Sequence, residues 1–220
     1  MNIRIYLVSV EGLGDSRSFH DALACLDQTR YAKVCSYKRQ KDQCLGIAAG
    51  LLLQVAYRGL LEGQHVEEKI KPYTVEELLG VLENSKTEIV YHENEFGKPY
   101  WDHAFANSQF FNISHSGEYV MLVCSDLEVG VDIQYKKTRK NLKHSVSTFS
   151  KMEAYVKCIG SGFAGEGLKG LDFLLHEESH ENEFLDFAEA VFYELQVFED
   201  YIAWICTRKP LDLRRGEINR

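Results

Sequence analysis

The chain has little proline and no linker that would divide it. Only three of its 220 residues are proline, and no low-complexity or Pro/Ser-rich stretch interrupts it. Because 45% of the residues are hydrophobic, there is enough apolar side chain for a real core. The length suits one domain or two small ones.

The six cysteines lack the spacing of a metal site or a redox motif. No C-x-x-C pair occurs, and no cysteine stands at zinc-like spacing from a histidine. Most lie among apolar residues, which favours buried free thiols in a reducing cytosol. They are Cys25, Cys35, Cys44, Cys124, Cys158 and Cys206.

Signals for membranes, nucleotides and nucleic acids are also missing. The N-terminal segment lacks the long apolar core of a signal peptide, and no stretch approaches the ~20 apolar residues of a membrane span. Neither a P-loop motif nor a G-x-G-x-x-G turn after a strand occurs. A formal net charge of -8 argues against general nucleic-acid binding. We therefore expect a cytoplasmic protein without a membrane or nucleic-acid partner.

Periodicity and capping residues predict a mixture of helices and strands. Residues 3–10 alternate as a strand does, and Asp15 is a candidate cap for a helix running toward Asp27. Small and apolar residues after Asp42 predict a buried helix that ends near Gly63. Each half of the chain is therefore compatible with an internal pseudo-repeat of strand, long helix and further strands. The other predicted elements are helices at 74–82 and 149–159, and strands at 87–92, 109–113, 118–125, 128–134, 171–175, 189–196 and 201–207.

Three short motifs in the second half carry the chemistry. Ser114 and His115 follow the apolar run FFNI at a predicted strand end, and both can donate to phosphate oxygens. A surface or core histidine is the commoner outcome for such a pair. Asp132 interrupts the apolar pattern VGVDIQ. A buried carboxylate there needs a partner or a hard cation such as Mg²⁺, and the alternative is a strand-end aspartate that faces water.

The third motif lies on the predicted helix at 149–159. Glu153 and Lys157 are four residues apart and share one face of it. They are suited to a metal and a phosphate, or else form a surface ion pair worth about 0.3–0.5 kcal/mol.

Basic residues form two runs, which invites an anionic ligand in a chain that is acidic overall. Arg30 and Lys33 begin the first run, and Lys98 stands alone in the turn GKPY. Solvated basic faces are the alternative. The second run consists of Lys136, Lys137, Arg139, Lys140 and Lys143.

Taken in order, these segments resemble the 4'-phosphopantetheinyl transferases of the surfactin-synthetase-activating type. The resemblance covers roughly residues 3–207 and is most specific in FNISHSG and GVDIQ. The other matching segments are Arg30-x-x-Lys33 with KDQCLGIAAGLLL, FGKPY, SKMEAYVKCIGSGF and the closing FYELQVFEDYIAWICT.

The resemblance implies an α+β fold of two similar halves related by a pseudo-twofold, with the site between them. Residues 1–105 would form the coenzyme A nucleotide side and residues 106–220 the metal and catalytic side. The implied reaction moves the phosphopantetheine arm of coenzyme A to a serine of an acyl or peptidyl carrier protein. It requires Mg²⁺ and releases 3',5'-ADP, and a monomer is expected to suffice.

The resemblance also implies a role for each candidate residue. Those near coenzyme A would be Arg30, Lys33, Lys98, Ser114, His115 and Lys157. Those on Mg²⁺ would be Asp132, Glu153 and Gln134. The catalytic set would be Glu153, Lys157, Asp132 and His115, with Glu153 as the candidate general base, directly or through a metal-bound water.

This sequence departs from the family pattern at several positions. Gln134 stands where many members have a third metal-ligating Glu, and Met152 stands where the family has a Lys. Phe149 replaces a Trp, and Leu45 replaces an Arg that some members have. The segment 135–148, which in the family helps to receive the carrier protein, is short. The alternatives are a degenerate relative that binds coenzyme A with little transfer, and a noncatalytic interaction protein.

Overall fold

A computed structural model describes residues 2–82, 89–101, 110–139, 146–160, 190–195 and 197–208. The predicted strand at 171–175 and the basic residues Lys140 and Lys143 lie outside this part of the chain. Within it, no helix combines the length and the apolar character needed to cross a membrane. The helices are α1 (Ser16–Ala24), α2 (Gln28–Cys35), α3 (Gln40–Arg58), α4 (Val75–Leu82) and α5 (Val146–Ile159).

Two aspartates divide what the sequence predicted as one helix followed by a basic stretch. The carboxylate of Asp15 accepts a hydrogen bond from the Ser18 amide at 2.9 Å, as the prediction required. The helix ends at Ala24, however, and Asp27 caps α2 by accepting from the Arg30 amide at 2.9 Å. Arg30 and Lys33 therefore lie on a short helix rather than on a lead-in to α3.

The long buried helix α3 ends earlier than predicted. Gly59 follows its last residue in the left-handed conformation, with φ of 61°, and its amide bonds back to the final turn. Glycine adopts this conformation without a Cβ penalty and stops a helix efficiently. The end predicted near Gly63 was wrong because Gly59 supplies this stop first.

Two three-stranded antiparallel sheets and a short hairpin confirm a mixed α+β architecture. The first sheet has the order β1-β5-β4, the second has the order β6-β8-β7, and β2 pairs with β3. The strands are β1 (Ile3–Ser9), β2 (Tyr91–Glu93), β3 (Pro99–Trp101), β4 (Phe110–Ser116), β5 (Tyr119–Ser125), β6 (Glu128–Tyr135), β7 (Val191–Leu195) and β8 (Tyr201–Arg208).

Several strands differ in extent from their predictions. β4 continues to Ser116, so Ser114 and His115 lie inside a strand rather than at its end. β2 begins at Tyr91, later than predicted. The first sheet draws β1 from one side of the predicted 105/106 division and β4 and β5 from the other. That division and the pseudo-twofold stay predictions.

Alternate residues of the first sheet enter two different cores. Val8 and Leu122 pack with α3 on one face, whereas Leu7 and Val123 pack with Ile133 of the second sheet on the other. A third cluster joins α5 to the outer face of the second sheet. The order through the molecule is therefore α3, first sheet, second sheet, α5.

Most of the cysteines are buried in these clusters or beside them. Cys44, Cys124, Cys158 and Cys206 are buried free thiols, as predicted, and Cys25 is partly buried. Cys35 is exposed, because it ends the solvent-facing helix α2.

The two sheets meet along β4 and β6 through side chains rather than through a backbone ladder. Asn112 Oδ1 accepts from the Val131 amide at 2.9 Å, and Ser116 Oγ accepts from the Tyr135 amide at 2.9 Å. Between them, Ser114 Oγ accepts from the Ile133 amide at 3.3 Å. Each pair is 19 residues apart, so the polar residues of N-x-S-x-S follow β6 at the two-residue period of a strand. They accept hydrogen bonds from amides that would otherwise be buried without partners. Each unsatisfied buried amide would cost about 1–3 kcal/mol of stability.

Gly130 lets α5 lie directly on β6. A Cβ at this position would lie 2.1 Å from Ala154 O and 2.2 Å from Cys158 N. Both are backbone atoms of α5, so the helix would have to shift. Gly80 on α4 offers a contrast, because a Cβ there meets no atom within 4 Å.

Gly130→Ala should lower the free energy of unfolding by about 1–3 kcal/mol or more, because it forces α5 away from the sheet. Gly80→Ala should raise it by up to about 1 kcal/mol through helix propensity. Urea denaturation of both variants measures the difference. Equal stability of Gly130→Ala and the wild type would contradict the close helix–sheet contact.

Candidate functional site

Two cavities meet beside the loop that joins β2 to β3. The cavity named here after Arg30 has a volume of about 380 Å³ and the one named after Lys157 about 340 Å³. Gly97, Pro99 and Ile113 line both, so the two cavities adjoin, and together they are called the groove. The Arg30 cavity is also lined by Lys33, Tyr37, Asp42, Leu45 and His115, and the Lys157 cavity by Phe96, Lys98, Asn112, Glu153 and Gly160.

Arg30 is a buried cation with an unmet hydrogen-bond donor. Its side chain lies against α3 at Gly50, where a Cβ would come within 2.8 Å of Arg30 Cγ. The guanidinium carbon lies 5.5 Å from the centre of the Tyr91 ring. Arg30 is 8% exposed, and its Nε has no hydrogen-bond partner in the described part of the chain. Arg30 also lines the cavity, and a guanidinium there favours an anionic ligand.

Lys33 and His115 line the same cavity nearer to solvent. Lys33 Nζ lies 3.6 Å from Glu93 Oε1 in a half-exposed ion pair, which contributes little to stability. His115 lies at the open side of the cavity. Desolvation by the surrounding protein, and then the positive charge of Lys157, lower the pKa of His115. An anion bound beside the imidazole would favour its charged form again.

Asp132, Glu153 and Lys157 form one cluster beside the second cavity. Lys157 Nζ lies 2.6 Å from Asp132 Oδ1 and 3.5 Å from Glu153 Oε2. The Asp132 side chain is 1% exposed, so this aspartate does not face water at a strand end. Glu153 and Lys157 are also partly buried, and their pair is more than a surface contact because it shares a buried carboxylate.

The Asp132 carboxylate is held by two further donors. Ser114 Oγ donates to Oδ1 at 3.0 Å, and Gln134 Nε2 donates to Oδ2 at 2.8 Å. Ser150 Oγ donates to the backbone carbonyl of Asp132 at 3.1 Å. A buried carboxylate is tolerated when a cation and hydrogen bonds compensate its lost hydration.

Lys98 lies at the groove, but its ammonium points at α5. Lys98 Nζ donates to the Cys158 carbonyl near the end of α5, where a cation is favoured by the helix dipole. Burial lowers the pKa of Lys98. Beside it, Asn94 Nδ2 donates to the Gly160 carbonyl at 2.8 Å. These two side chains attach the β2–β3 loop to α5 and so shape the wall of both cavities.

Several residues around the site carried no predicted role in the sequence. They are Asn94, Tyr91 beside Arg30, and Asn112 and Ser116 of β4, which accept from the amides of β6. The alternation N-x-S-x-S on an apolar strand was the available signal, because polar residues at period two mark one face of a strand. Asn94 and Tyr91 left no such signal.

Two of the departures from the family pattern have a clear location. Leu45 lines the Arg30 cavity. Met152 is 9% exposed and packs in the apolar cluster between α5 and the second sheet. Its side chain belongs to the core, and Met152 lines neither of the two cavities.

The donor atoms of the cluster fit a small hard cation. Asp132 and Glu153 both approach Lys157 Nζ within 3.5 Å, so a single positive charge already lies between two carboxylates. Carboxylate and amide oxygens are the ligands that Mg²⁺ takes. Within the described residues, no group of three or more His, Cys, Asp or Glu side chains could hold a metal. The three ligands that the resemblance implies, Asp132, Glu153 and Gln134, include only two side chains of these types.

Lys136 and Lys137, the first two lysines of the second basic run, contact the turn between β7 and β8. Lys136 Nζ donates to the Glu199 carbonyl, and Lys137 Nζ lies 3.1 Å from Asp200 Oδ2. Part of their charge is therefore neutralised within the molecule.

Comparison with known proteins supports the resemblance seen in the motifs. No protein-family model matches the chain. The chain is similar to 4'-phosphopantetheinyl transferase gsp from Aneurinibacillus migulanus, with 32% identity over 130 residues. The match covers 49% of this chain and 50% of that protein, so the chain spans about half the length of the curated relative it matches. It supports the family in general and does not separate the surfactin-synthetase-activating type from the rest.

Removing one partner of the Asp132–Lys157 pair should lower the free energy of unfolding more than removing both partners. Lys157→Met leaves the Asp132 carboxylate without its ammonium and should lower the free energy of unfolding by about 3 kcal/mol. Adding Asp132→Asn to Lys157→Met should recover most of the lost stability, because the buried negative charge is then gone. Urea denaturation in EDTA at neutral pH, applied to the wild type, the two single variants and the double variant, measures these differences.

Lys151→Met is the matched control, since Lys151 lies on the same helix over the rings of Phe192 and Trp204. It should cost about 1 kcal/mol or less. Strictly additive effects of Lys157→Met and Asp132→Asn would mean that the pair does not stabilise the fold.

Proposed function

We propose that this protein transfers the 4'-phosphopantetheine group of coenzyme A to a serine of an acyl or peptidyl carrier protein, as enzymes of the surfactin-synthetase-activating type do. The reaction would require Mg²⁺, take place in the cytoplasm, need only a monomer and release 3',5'-ADP. The observation that carries the proposal is a groove lined by cationic side chains at one end and by a carboxylate–lysine pair at the other. Arg30 and His115 line one end of it, and Glu153 and Lys157 line the other.

The Arg30 cavity is suited to the nucleotide end of coenzyme A. A guanidinium binds phosphate through charge-assisted hydrogen bonds, and Arg30 lines this cavity. Lys33 and His115 add donors on the same wall. We assign Lys98 to hold the β2–β3 loop, because its ammonium is already bound to the Cys158 carbonyl.

The Lys157 cavity is suited to the pyrophosphate. In the proposed reaction the carrier serine oxygen bonds to the phosphorus nearer pantetheine, and the bond from that phosphorus to the bridging oxygen breaks. The electron pair of that bond leaves with 3',5'-ADP. Negative charge builds on phosphoryl oxygens during this exchange, and Lys157 and His115 would stabilise it.

Proton removal from the serine is assigned to Glu153, directly or through a metal-bound water. Glu153 lines the Lys157 cavity, whereas the Asp132 carboxylate is enclosed by Lys157, Ser114 and Gln134. A base must come within hydrogen-bond reach of the proton it takes, and only Glu153 of the two acids faces the groove. Mg²⁺ held by Asp132, Glu153 and Gln134 would supply Lewis-acid stabilisation of the phosphoryl oxygens.

A mass measurement on carrier proteins tests the reaction. Incubation of apo acyl or peptidyl carriers with the protein, Mg²⁺ and coenzyme A should add about 340 Da to the carrier. Lys157→Met should reduce the rate by about a hundredfold or more, because it removes a charge that acts on the transition state. Lys151→Met on the same helix should leave the rate unchanged.

The same experiment separates the alternatives. Binding of coenzyme A without a mass gain on any carrier would indicate a degenerate relative that binds the co-substrate only. If coenzyme A also fails to raise the melting temperature, the protein is a noncatalytic interaction protein, since a ligand of the native state stabilises it.

Arg30→Met should weaken coenzyme A binding by about ten- to a hundredfold, because a charge-assisted hydrogen bond contributes about 1.5–3 kcal/mol. Methionine keeps the packing against Gly50. Isothermal titration calorimetry measures the change, and Arg17→Met is the control, because Arg17 is exposed on α1. An unchanged dissociation constant for Arg30→Met would remove Arg30 from the binding site.

A further inference from the structure

We propose that Ser114 is a positioning residue that fixes Asp132 and Lys157 and does not bind the phosphates of coenzyme A. Its effect on turnover rests on the proposed function, but its contacts do not. This assignment differs from the phosphate-binding role that the family resemblance implies for this serine.

The hydroxyl of Ser114 has no hydrogen-bonding capacity left for a ligand. A serine hydroxyl offers one donor and two acceptor lone pairs. The O–H donates to Asp132 Oδ1 at 3.0 Å. The oxygen accepts from the Ile133 amide at 3.3 Å and from Lys157 Nζ at 3.1 Å. All three positions are therefore used inside the protein.

Strand geometry also separates Ser114 from its neighbour His115. Successive side chains of a strand point to opposite faces, so Ser114 lies on the face of β4 opposite to His115. Ile113 and His115 line the Arg30 cavity, whereas Ser114 is 5% exposed and contacts β6. The imidazole remains available to an anion, and the hydroxyl does not.

Ser114 joins the sheet junction to the charged cluster. It bonds the middle amide of the β4–β6 contact and, at the same time, one carboxylate oxygen of Asp132 and the ammonium of Lys157. A functional group is held in a productive orientation by such supporting hydrogen bonds. Loss of the hydroxyl should therefore change the orientation of the pair without removing a ligand contact.

Ser116 provides a matched control two residues along the same strand. Its hydroxyl accepts from the Tyr135 amide at 2.9 Å and so has the same role at the sheet junction. Within the described residues, its hydroxyl bonds neither Asp132 nor Lys157. Ser116→Ala therefore removes a junction hydrogen bond alone.

The decisive experiment compares Ser114→Ala, Ser114→Thr and Ser116→Ala in coenzyme A binding and in transfer. Ser114→Ala should lower kcat by about ten- to a hundredfold while the calorimetric dissociation constant of coenzyme A changes less than about twofold. Ser114→Thr, which keeps the hydroxyl, should restore kcat, and Ser116→Ala should change neither quantity. A tenfold or larger rise in the dissociation constant for Ser114→Ala at unchanged kcat would overturn the proposal.

A double-mutant cycle in unfolding stability tests the contact between Ser114 and Asp132 even if the protein has no transferase activity. In urea denaturation, the effects of Ser114→Ala and Asp132→Asn should be non-additive by about fivefold or more in the unfolding constant. Those of Ser116→Ala and Asp132→Asn should add. Absence of transfer with this coupling intact would remove the proposed function alone, and additive Ser114 effects would remove the positioning role. If Ser114→Ala does not fold, Ser114→Cys gives the same measurements, because a thiol is a weak donor.

Discussion

A carboxylate buried between a sheet and a helix sets the main requirement on this structure. The Asp132 side chain is 1% exposed, and an ion in such a place is tolerated only when a counter-charge and hydrogen bonds surround it. Lys157 of α5 and Ser114 of β4 meet this requirement together with Gln134. Helix α5 can approach closely enough because Gly130 has no side chain. One buried charge thus links the helix and the edges of both sheets.

The groove depends on the same helix. Asn94 and Lys98 attach the β2–β3 loop to carbonyls at the end of α5, and this loop forms the wall that the two cavities share. The helix that compensates Asp132 therefore also fixes the boundary of the groove. Arg30 reaches the groove from α2 on the other side, where Gly50 leaves room for its side chain. Arg30 and Lys33 of α2 and Glu153 and Lys157 of α5 therefore line adjoining cavities on the two sides of the β2–β3 loop.

Much of the secondary structure was predictable because it depends on near neighbours. The cap at Asp15, the alternation in β1 and the Glu153–Lys157 face of α5 each involve residues a few positions apart. The errors arose where two local signals competed. Gly59 stopped α3 before Gly63 could, and Asp27 started a helix where only a basic run had been noticed.

The sequence by itself determined the α+β class and the candidate residues of the site, because strand alternation, helix periodicity and motif chemistry are local properties. Only the tertiary structure decided which groups meet. Ser114 bonds Asp132 across 18 residues and Lys157 across 43. The Lys98 ammonium bonds α5 across 60 residues. The partner that satisfies a buried charge depends on how sheets and helix pack, and no local pattern encodes this, so Ser114 and Lys98 could be identified as candidates but not given their contacts.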